Sequence, residues 1–210
     1  MVNKGFFITL EGCEGSGKST QLQLLQNFLK ESGRDFIFTR EPGGTPIAEQ
    51  IRKIILDGNN VEMQDETEAL LYASARVQHI KEKIIPAKNS GKIIVCDRYI
   101  DSSFAYQAYA RGLGMEFVSG VNVYAMQNCM PDLTFFLDIS PREAFIRKGG
   151  ADEGDRLEQS GIAFHEKVYQ GYLSLARQFP QRIAVIDARK ATEQVFDQIV
   201  SELKKREIID

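Results

Sequence analysis

Residues Gly12–Ser19, with the sequence GCEGSGKS, decide the fold of this 210-residue chain. They fit the pattern G-x-x-x-x-G-K-[ST], with an apolar run ending at Leu10 before them and a helical pattern starting near Lys18. Glycines let the backbone turn its N–H groups around phosphate oxygens, and the start of a helix adds a favourable dipole. We expect Lys18 to reach the β- and γ-phosphates and the Ser19 hydroxyl to face Mg²⁺. The stretch therefore predicts a site for a nucleoside triphosphate.

Short apolar runs alternate with helical patterns along the whole chain. The runs are Gly5–Leu10, Phe36–Thr39, Lys92–Cys96, Leu133–Leu137 and Arg182–Ile186. Several are apolar on both faces, which is typical of parallel strands covered on both sides. The helical patterns are Ser19–Lys30, Ile47–Leu56, Glu66–Lys83 with an end near Pro86, Val118–Met126, Pro141–Lys148, Phe164–Arg177 and Thr192–Lys205. This alternation predicts an α/β fold, with a parallel sheet between layers of helices.

Length and composition indicate an ordinary globular domain. Hydrophobic residues make up 43% and charged residues 26% of the chain, which excludes a disordered or fibrous protein. We predict a single domain over residues 1–210. The net charge of -3 argues against a dedicated surface for nucleic acid or anionic membrane. Three cysteines without a CxxC pair favour a reducing, cytoplasmic setting.

Charged residues follow the first three runs. Glu14 lies after the first run, Arg40 and Glu41 after the second, and Asp97 and Arg98 after the third. Ligands of parallel sheets bind at the carboxyl ends of the strands, so we expect these side chains to converge on one rim. Asp97 stands where a phosphate-loop fold presents an acid beside the metal. Ser19 and Asp97 are therefore the predicted metal ligands.

The loop motif alone leaves the fate of the triphosphate open. A GTPase would need a guanine-reading Asn-Lys-x-Asp, which the sequence lacks, and a large ATP motor would need more chain. The small size favours a kinase with a small acceptor. The stretch 148–159, KGGADEGDRLEQ, is charged and glycine-rich, which predicts a mobile loop.

Several motifs together resemble the bacterial thymidylate kinases. They are EGCEGSGKST, TREPGGT, LYASARVQH, DRYIDSSFAYQ and DRLEQ, and the resemblance runs from about Lys4 to about Arg189. It implies a three-layer α/β/α fold with a five-stranded parallel sheet, transfer of a phosphoryl group from Mg·ATP to dTMP, and a homodimer formed through helices. It also implies that ATP contacts Gly12, Cys13, Glu14, Gly15, Ser16, Gly17, Lys18, Ser19 and Thr20.

The resemblance assigns an acceptor site to residues after the phosphate loop. Arg98 would grip the monophosphate of dTMP, for which a bidentate guanidinium is well suited, and Arg52 would assist it. Glu14 and Glu41 match carboxylates near the deoxyribose and the catalytic centre. The base would stack on Tyr72 and meet polar groups of Arg76, Ser103 and Gln107, while Tyr106 would crowd the 2′ position. Lys18, Arg98, Asp97 and Glu14 are the predicted catalytic residues of this centre.

By resemblance, residues 148–159 form a lid over the phosphates. Family lids supply arginines to the transferring phosphoryl group. In this chain Gly149 to Asp155 contains no basic residue, so the lid departs from the family pattern. The predicted catalytic cations are therefore Arg156 and Arg147.

Two rival functions stay open at this point. A deoxynucleoside kinase would phosphorylate a sugar hydroxyl and would need fewer arginines for an acceptor phosphate. A catalytically silent nucleotide-binding regulator would be expected to lose Lys18, Ser19 or the lid cations, all of which are present. His79 and His165 are expected to be structural or surface residues, because phosphoryl transfer does not require a strong general base.

Overall fold

Five parallel strands form the centre of the protein in the computed structural model, which describes residues 4–147, 149 and 160–209. The strands are β1 (Phe6–Glu11), β2 (Phe36–Arg40), β3 (Ile93–Asp97), β4 (Leu133–Asp138) and β5 (Ile183–Asp187). Their order across the sheet is β2-β3-β1-β4-β5, with all neighbours parallel. Each of the five apolar runs therefore forms a strand, and the predicted five-stranded α/β fold is confirmed.

Helices connect the strands. They are α1 (Lys18–Glu31), α2 (Pro46–Leu56), α3 (Asp65–His79), α4 (Ile85–Asn89), α5 (Ile100–Ser103), α6 (Gly114–Val121), α7 (Val123–Asn128), α8 (Pro141–Arg147), α9 (Ile162–Gln178) and α10 (Thr192–Lys205). Two π-helical segments, Ile80–Ile84 and Phe104–Ala110, continue α3 and α5. The second of these segments carries predicted acceptor residues, in keeping with the frequent occurrence of π-helical turns at functional sites.

Alternate residues of each strand face two separate apolar layers. On one side Phe7 and Phe136 pack with residues of α5, α6, α7, α9 and the π-helical segments. On the other side Ile8 and Phe135 pack with α1, α8 and α10. Because side chains of a strand alternate between its two faces, strands that are apolar throughout require helices on both sides. The central strands β1, β3 and β4 are thus mostly buried, and their carboxyl ends provide a fixed base for a site.

Two predicted helices differ from the observed ones. The helix expected to end near Pro86 continues as α4 to Asn89. Pro86 is the second residue of α4, directly after the π-helical segment Ile80–Ile84, and the helix continues past it. The helix predicted over Val118–Met126 is divided at Asn122 between α6 and α7.

Some predictions fall outside the described part of the chain. Apart from Gly149, the predicted lid at residues 148–159 lies there, and so does Arg156. Within the described residues, no helix has both the length and the apolar character needed to cross a membrane.

Candidate active site

The carboxyl ends of β1, β2 and β3 open into a cavity of about 560 Å³. Most predicted site residues line it: Glu14, Gly15, Gly17, Lys18, Ser19, Thr20, Glu41, Arg52, Tyr72, Arg76, Asp97, Arg98, Ser103, Tyr106, Gln107 and Arg147. Gly12, Cys13 and Ser16 belong to the same loop and are buried, and Ser16 Oγ has no hydrogen-bond partner among the described residues. Residues that are distant in sequence therefore meet in one space, as the strand order requires.

The phosphate loop has the backbone conformation that its glycines allow. Gly15 has φ +75°, and a Cβ there would lie 2.7 Å from the carbonyl oxygen of Ala144. Lys18 is 7% exposed, and its Nζ donates to the carbonyl oxygens of Gly12 at 3.2 Å and Cys13 at 3.1 Å. Burial, with the nearby charge of Arg98, lowers the pKa of Lys18. The ammonium group is thus held beside the loop, ready to exchange carbonyl partners for phosphate oxygens.

Asp97 ends β3 at the floor of the cavity. Its Oδ1 is buried and has no hydrogen-bond partner among residues 4–147, 149 and 160–209. A buried carboxylate oxygen without a donor is costly unless a ligand or ion meets it. Ser19 lines the same cavity, so hydroxyl and carboxylate oxygens are both available at this point.

Arg98 follows Asp97 in a strained backbone conformation, with φ 63°. Its own N–H donates to Leu10 across to β1 at 2.9 Å, and an Nη lies 3.7 Å from a Glu14 carboxylate oxygen. A non-glycine residue with positive φ persists only where its surroundings determine it. Here the strain directs the guanidinium into the cavity, toward the phosphate loop.

Glu11 holds the segment around Arg98 and is a residue that sequence reasoning missed. Its fully buried carboxylate accepts from the backbone N–H of Tyr99 at 2.7 Å, from Ser102 Oγ at 2.6 Å and from Tyr172 Oη at 2.8 Å. Because Tyr172 donates its hydrogen to Glu11, its oxygen is free to accept from Arg98 Nη1 at 3.2 Å. Glu11 therefore positions Arg98 indirectly, through Tyr99 and Tyr172.

The same carboxylate has a strongly shifted proton affinity. Burial, reinforced by the charge of Asp101, raises the pKa of Glu11 to about 7.

The one sequence signal for Glu11 was its place at the end of an apolar run directly before the phosphate loop. The predicted strand ended at Leu10, whereas β1 includes Glu11.

Arg76 is one of the largest fully buried side chains, and it joins several elements beside the cavity. Its Nε donates to Glu41 Oε2 at 2.7 Å, and Nη1 donates to Ser103 Oγ at 2.9 Å and to Asn122 Oδ1. Nη2 donates to the carbonyl oxygen of Tyr99 at 3.2 Å. Four of the five N–H donors of the guanidinium are thus used within the protein, and one remains for a ligand. Asn122 was not predicted, because it lies between α6 and α7, outside every motif.

Glu41 faces inward to a buried imidazole rather than only toward the cavity. His79 Nδ1 lies 2.9 Å from Glu41 Oε1, and His79 Nε2 lies 2.7 Å from Thr39 Oγ1. The side chain of His79 is 0% exposed, so it is structural and the surface alternative is wrong. His165 is also buried, at 1% exposed, and lines the cavity. The carboxylate of Glu41 is therefore held by Arg76 on one oxygen and His79 on the other.

The remaining predicted residues surround these groups. Arg52 Nη1 donates to the carbonyl oxygen of Pro42 at 2.9 Å. Tyr106 is 7% exposed, with its ring 5.3 Å from the Arg98 guanidinium carbon. Arg147 Nη1 donates to the carbonyl oxygen of Ala188 at 2.7 Å, so this predicted catalytic cation is engaged with the loop after β5.

Known proteins resemble this chain over nearly its full length. The family model described as Thymidylate kinase matches residues 10–199. The thymidylate kinase of Clostridium novyi (strain NT) is 47% identical over 97% of this chain and 100% of its own length. That of Finegoldia magna is 48% identical over 97% and 100%. A crystal structure of thymidylate kinase from Ehrlichia chaffeensis superposes with a TM-score of 0.77 at 29% identity, covering 95% of this chain and 98% of that one.

Proposed function

Because the chain belongs to the thymidylate kinase family, and so transfers a phosphoryl group from ATP to dTMP, we propose that this transfer occurs in the cavity at the carboxyl edge of the sheet. One observation carries the proposal: a single cavity is lined by Lys18 of the phosphate loop and by Arg98 and Arg76 of the opposite wall. Two nucleotides bound there would have their phosphates facing each other. Family membership favours neither the deoxynucleoside kinase nor the silent regulator.

The donor side is the phosphate loop, Gly12–Thr20. Its backbone N–H groups and the N-terminus of α1 would bind the ATP phosphates. Lys18 would leave the carbonyl oxygens of Gly12 and Cys13 for the β- and γ-phosphates, where its charge opposes the charge that develops during transfer. The loop supplies positioning and charge, which phosphoryl transfer requires more than a base.

The acceptor phosphate would be held by Arg98, with Arg52 beside it. Arg98 is preoriented by its strained backbone and by the hydroxyl of Tyr172, so little conformational freedom remains to be lost on binding. Glu14 lies near Arg98 and would limit its movement before dTMP arrives. A monophosphate placed on this guanidinium has its oxygens directed toward the phosphate loop, which is the arrangement that in-line transfer needs.

The base would enter between Tyr72 and the polar groups of α5 and its π-helical continuation. Arg76 has one free N–H, and Ser103 and Gln107 line the same wall. Tyr106 is packed by Phe164 and Tyr172, so its ring is a fixed obstacle beside the sugar. A fixed ring at the 2′ position would favour deoxyribose over ribose. Glu41 would act near the sugar mainly by holding Arg76.

The oxygen atoms of Ser19 and Asp97 fit Mg²⁺. Magnesium prefers hydroxyl, carboxylate and phosphate oxygens and commonly uses only one or two protein ligands. Ser19 supplies the hydroxyl, and the buried Asp97 Oδ1 lacks a partner among the described residues. No cluster of three metal-binding side chains occurs within that part of the chain, which fits an ion that arrives with the nucleotide. Ser19 and Asp97 would hold this ion, which when bound would reduce the negative charge of the triphosphate.

We propose Arg156 and Arg147 as the catalytic cations. Arg156 lies outside the described residues. Arg147 lines the cavity but is engaged with the carbonyl oxygens of Ala188 and Arg189, at 2.7 and 3.4 Å. It would have to leave at least one of these partners to reach a transferring phosphoryl group.

A homodimer would cover apolar side chains on neighbouring helices. Ile54 of α2, Leu70 of α3 and Val123 of α7 are 49%, 51% and 49% exposed, and α3 packs against both α2 and α7. Burying such a surface would be favourable. Leu70→Glu should therefore yield monomers in sedimentation velocity, whereas Val185→Glu, at an equally exposed position on β5, should not. We also propose a cytoplasmic location, which suits the three free, buried cysteines.

An acceptor screen tests the assignment of the cavity. With Mg·ATP, product should form from dTMP and not from thymidine, because Arg98 would require a phosphate. Arg76→Ala should reduce the preference for dTMP over dCMP, while the KM for ATP stays unchanged. An unchanged preference in a folded Arg76→Ala variant would place the base elsewhere.

A further inference from the structure

Behind the predicted base-binding wall, Gln107 is held by a buried carboxylate, that of Glu68. Gln107 is 1% exposed and lines the cavity, and its Nε2 donates to Glu68 Oε1 at 2.8 Å. Glu68 lies on α3 and is 0% exposed. Arg111 Nη2 donates to Glu68 Oε2 at 3.1 Å, and Arg111 also pairs with Asp65 at 3.2 Å. Arg111 Nε also donates to Oε1 at 3.5 Å, so the guanidinium anchors the carboxylate while Oε1 meets the amide of Gln107.

This contact fixes which end of the Gln107 amide faces the cavity. A carboxylate has only acceptor atoms, so the nitrogen of the amide must be the end that meets Glu68. The oxygen then points away from Glu68, and Oε1 accepts no hydrogen bond from any described residue. Without Glu68 the amide could turn over, because its two ends have nearly the same shape. The anchored carboxylate therefore makes Gln107 present an acceptor to a ligand.

The neighbouring group presents a donor. Ser103 Oγ accepts from Arg76 Nη1 at 2.9 Å, which leaves the serine hydrogen available, and Arg76 itself keeps one free N–H. Donor beside acceptor is the complement of the thymine edge, where the O4 carbonyl accepts and N3–H donates. Cytosine has the opposite pattern, with an amino group that donates and an N3 that accepts. If the Gln107 amide turned over, its nitrogen would face the cavity and could donate to N3 of cytosine.

We propose that Glu68 is a positioning residue that sets the preference for thymine over cytosine by fixing the orientation of the Gln107 amide. The inference rests on the proposed placement of the base against Gln107. It gives a reason for a fully buried carboxylate behind the pocket, where an uncompensated charge would otherwise be costly. Arg111 offsets the charge and donates to both carboxylate oxygens, and the amide of Gln107 makes the shorter contact with Oε1.

The decisive variant is Glu68→Gln, which keeps the shape but lets residue 68 either donate or accept. We expect the ratio of kcat/KM for dTMP to that for dCMP to fall about tenfold or more, the range found for one discriminating hydrogen bond. The ratio for dTMP to dUMP should stay unchanged, because thymine and uracil share the same polar edge. A general loosening of the pocket would change both ratios. A change in the dTMP-to-dCMP ratio alone therefore indicates a positioning role for Glu68 rather than a structural one.

Asp65→Asn is the matched control. Asp65 lies on the same helix and pairs with the same Arg111 but does not contact Gln107, so both ratios should stay at their wild-type values. If Glu68→Gln does not fold, Glu68→Asp and Glu68→Asn make the same comparison, with the lower dTMP-to-dCMP ratio expected for the Asn variant. The inference is overturned if the dTMP-to-dCMP ratio is the same in the wild type and a folded Glu68→Gln variant. If that variant does not fold, an equal ratio in Glu68→Asp and Glu68→Asn overturns it.

Gln107→Met distinguishes failure of this inference from failure of the proposed base site. If Gln107→Met abolishes the dTMP preference and Glu68→Gln leaves it intact, the base lies as proposed and the role of Glu68 is wrong. If Gln107→Met also leaves the preference intact, the base lies elsewhere and both proposals fail. In support, Glu68→Gln should cause no further loss when Gln107→Met is already present.

Discussion

The two sides of the cavity are built differently. The donor side is one continuous segment, Gly12–Thr20, whose groups for a ligand are mainly backbone N–H groups and one lysine. The acceptor side consists of side chains from α2, α3, the end of β3, α5 and α9, and its key guanidinium groups are held by other buried side chains. The donor side thus depends on local backbone conformation, and the acceptor side depends on long-range pairing of buried polar groups.

Because of this difference, the acceptor side controls which nucleotide is recognised, and the donor side controls how the phosphates are held. Every nucleoside triphosphate offers the same phosphates, so a backbone loop is sufficient on the donor side. The acceptor must be distinguished by base, sugar and phosphate, which needs several side chains in fixed orientations. Buried charged networks give such fixed orientations, because an unpaired member would be costly. Mutations on the two sides should therefore affect different kinetic constants.

The largest effect is expected on the donor side. Lys18→Ala removes the buried ammonium that faces the phosphates, and we expect kcat to fall by roughly two to three orders of magnitude, as for loss of one charge-stabilising donor. The melting temperature should change little, and the KM for dTMP should stay near the wild-type value. The control is Lys30→Ala, an exposed position on the same helix. A large rise in the KM for dTMP would contradict the expectation that a donor-side variant leaves acceptor binding unchanged.

Removal of the acceptor guanidinium should have the opposite signature. Arg98→Ala should raise the KM for dTMP about 10- to 100-fold, since hydrogen bonds to charged groups contribute roughly 1.5–3 kcal/mol. The KM for ATP should not move. Arg142→Ala, at an exposed ion pair with Glu166, is the control and should change neither constant. An unchanged KM for dTMP in the Arg98 variant would remove this residue from the acceptor site.

The acceptor network should also be visible in the pH dependence of stability. The pKa of Glu11 is raised to about 7 in the folded protein, from an ordinary value of 4.5, by burial and by Asp101 and despite Arg98. The folded state therefore binds this proton more tightly, and the resulting stabilisation is present below pH 4.5 and is lost as the pH rises through about 7.

Comparison with Glu11→Gln checks this effect by urea unfolding across that range. The free energy of unfolding of the wild type, relative to the variant, should decline as the pH rises. A difference that stays constant with pH would contradict the shifted pKa. It would also weaken the distinction between a locally determined donor loop and an acceptor side organised by buried charge.

The smallest effect is expected from a single relayed hydrogen bond. Tyr172→Phe removes the hydroxyl that joins Arg98 to Glu11, which should raise the KM for dTMP by roughly fivefold, or about 1 kcal/mol. Tyr169→Phe, earlier on the same helix, loses a hydroxyl that donates instead to Asp138 at 2.7 Å, and it should leave that KM unchanged. Equal effects in the two variants would indicate a loss of packing rather than of positioning.

The order of the strands and helices along the chain and the phosphate loop on the donor side could be predicted from the amino-acid sequence. The five apolar runs predict the five strands, because a strand covered on both faces must be apolar throughout. The phosphate loop was readable because its glycines, lysine and serine are contiguous and act through local backbone geometry. Arg98 was readable for a similar reason, since it directly follows a buried strand whose end must lie at the site.

The partners of the buried charges became visible in the folded structure alone. Glu11 and Tyr172 are 161 residues apart, and Gln107 and Glu68 are 39 apart, yet each pair shares a hydrogen bond. No local pattern encodes such a pair, because its energy depends on which helices pack together and on the absence of water between them. Which residues of the acceptor wall face a ligand and which position them is therefore visible only in the folded chain.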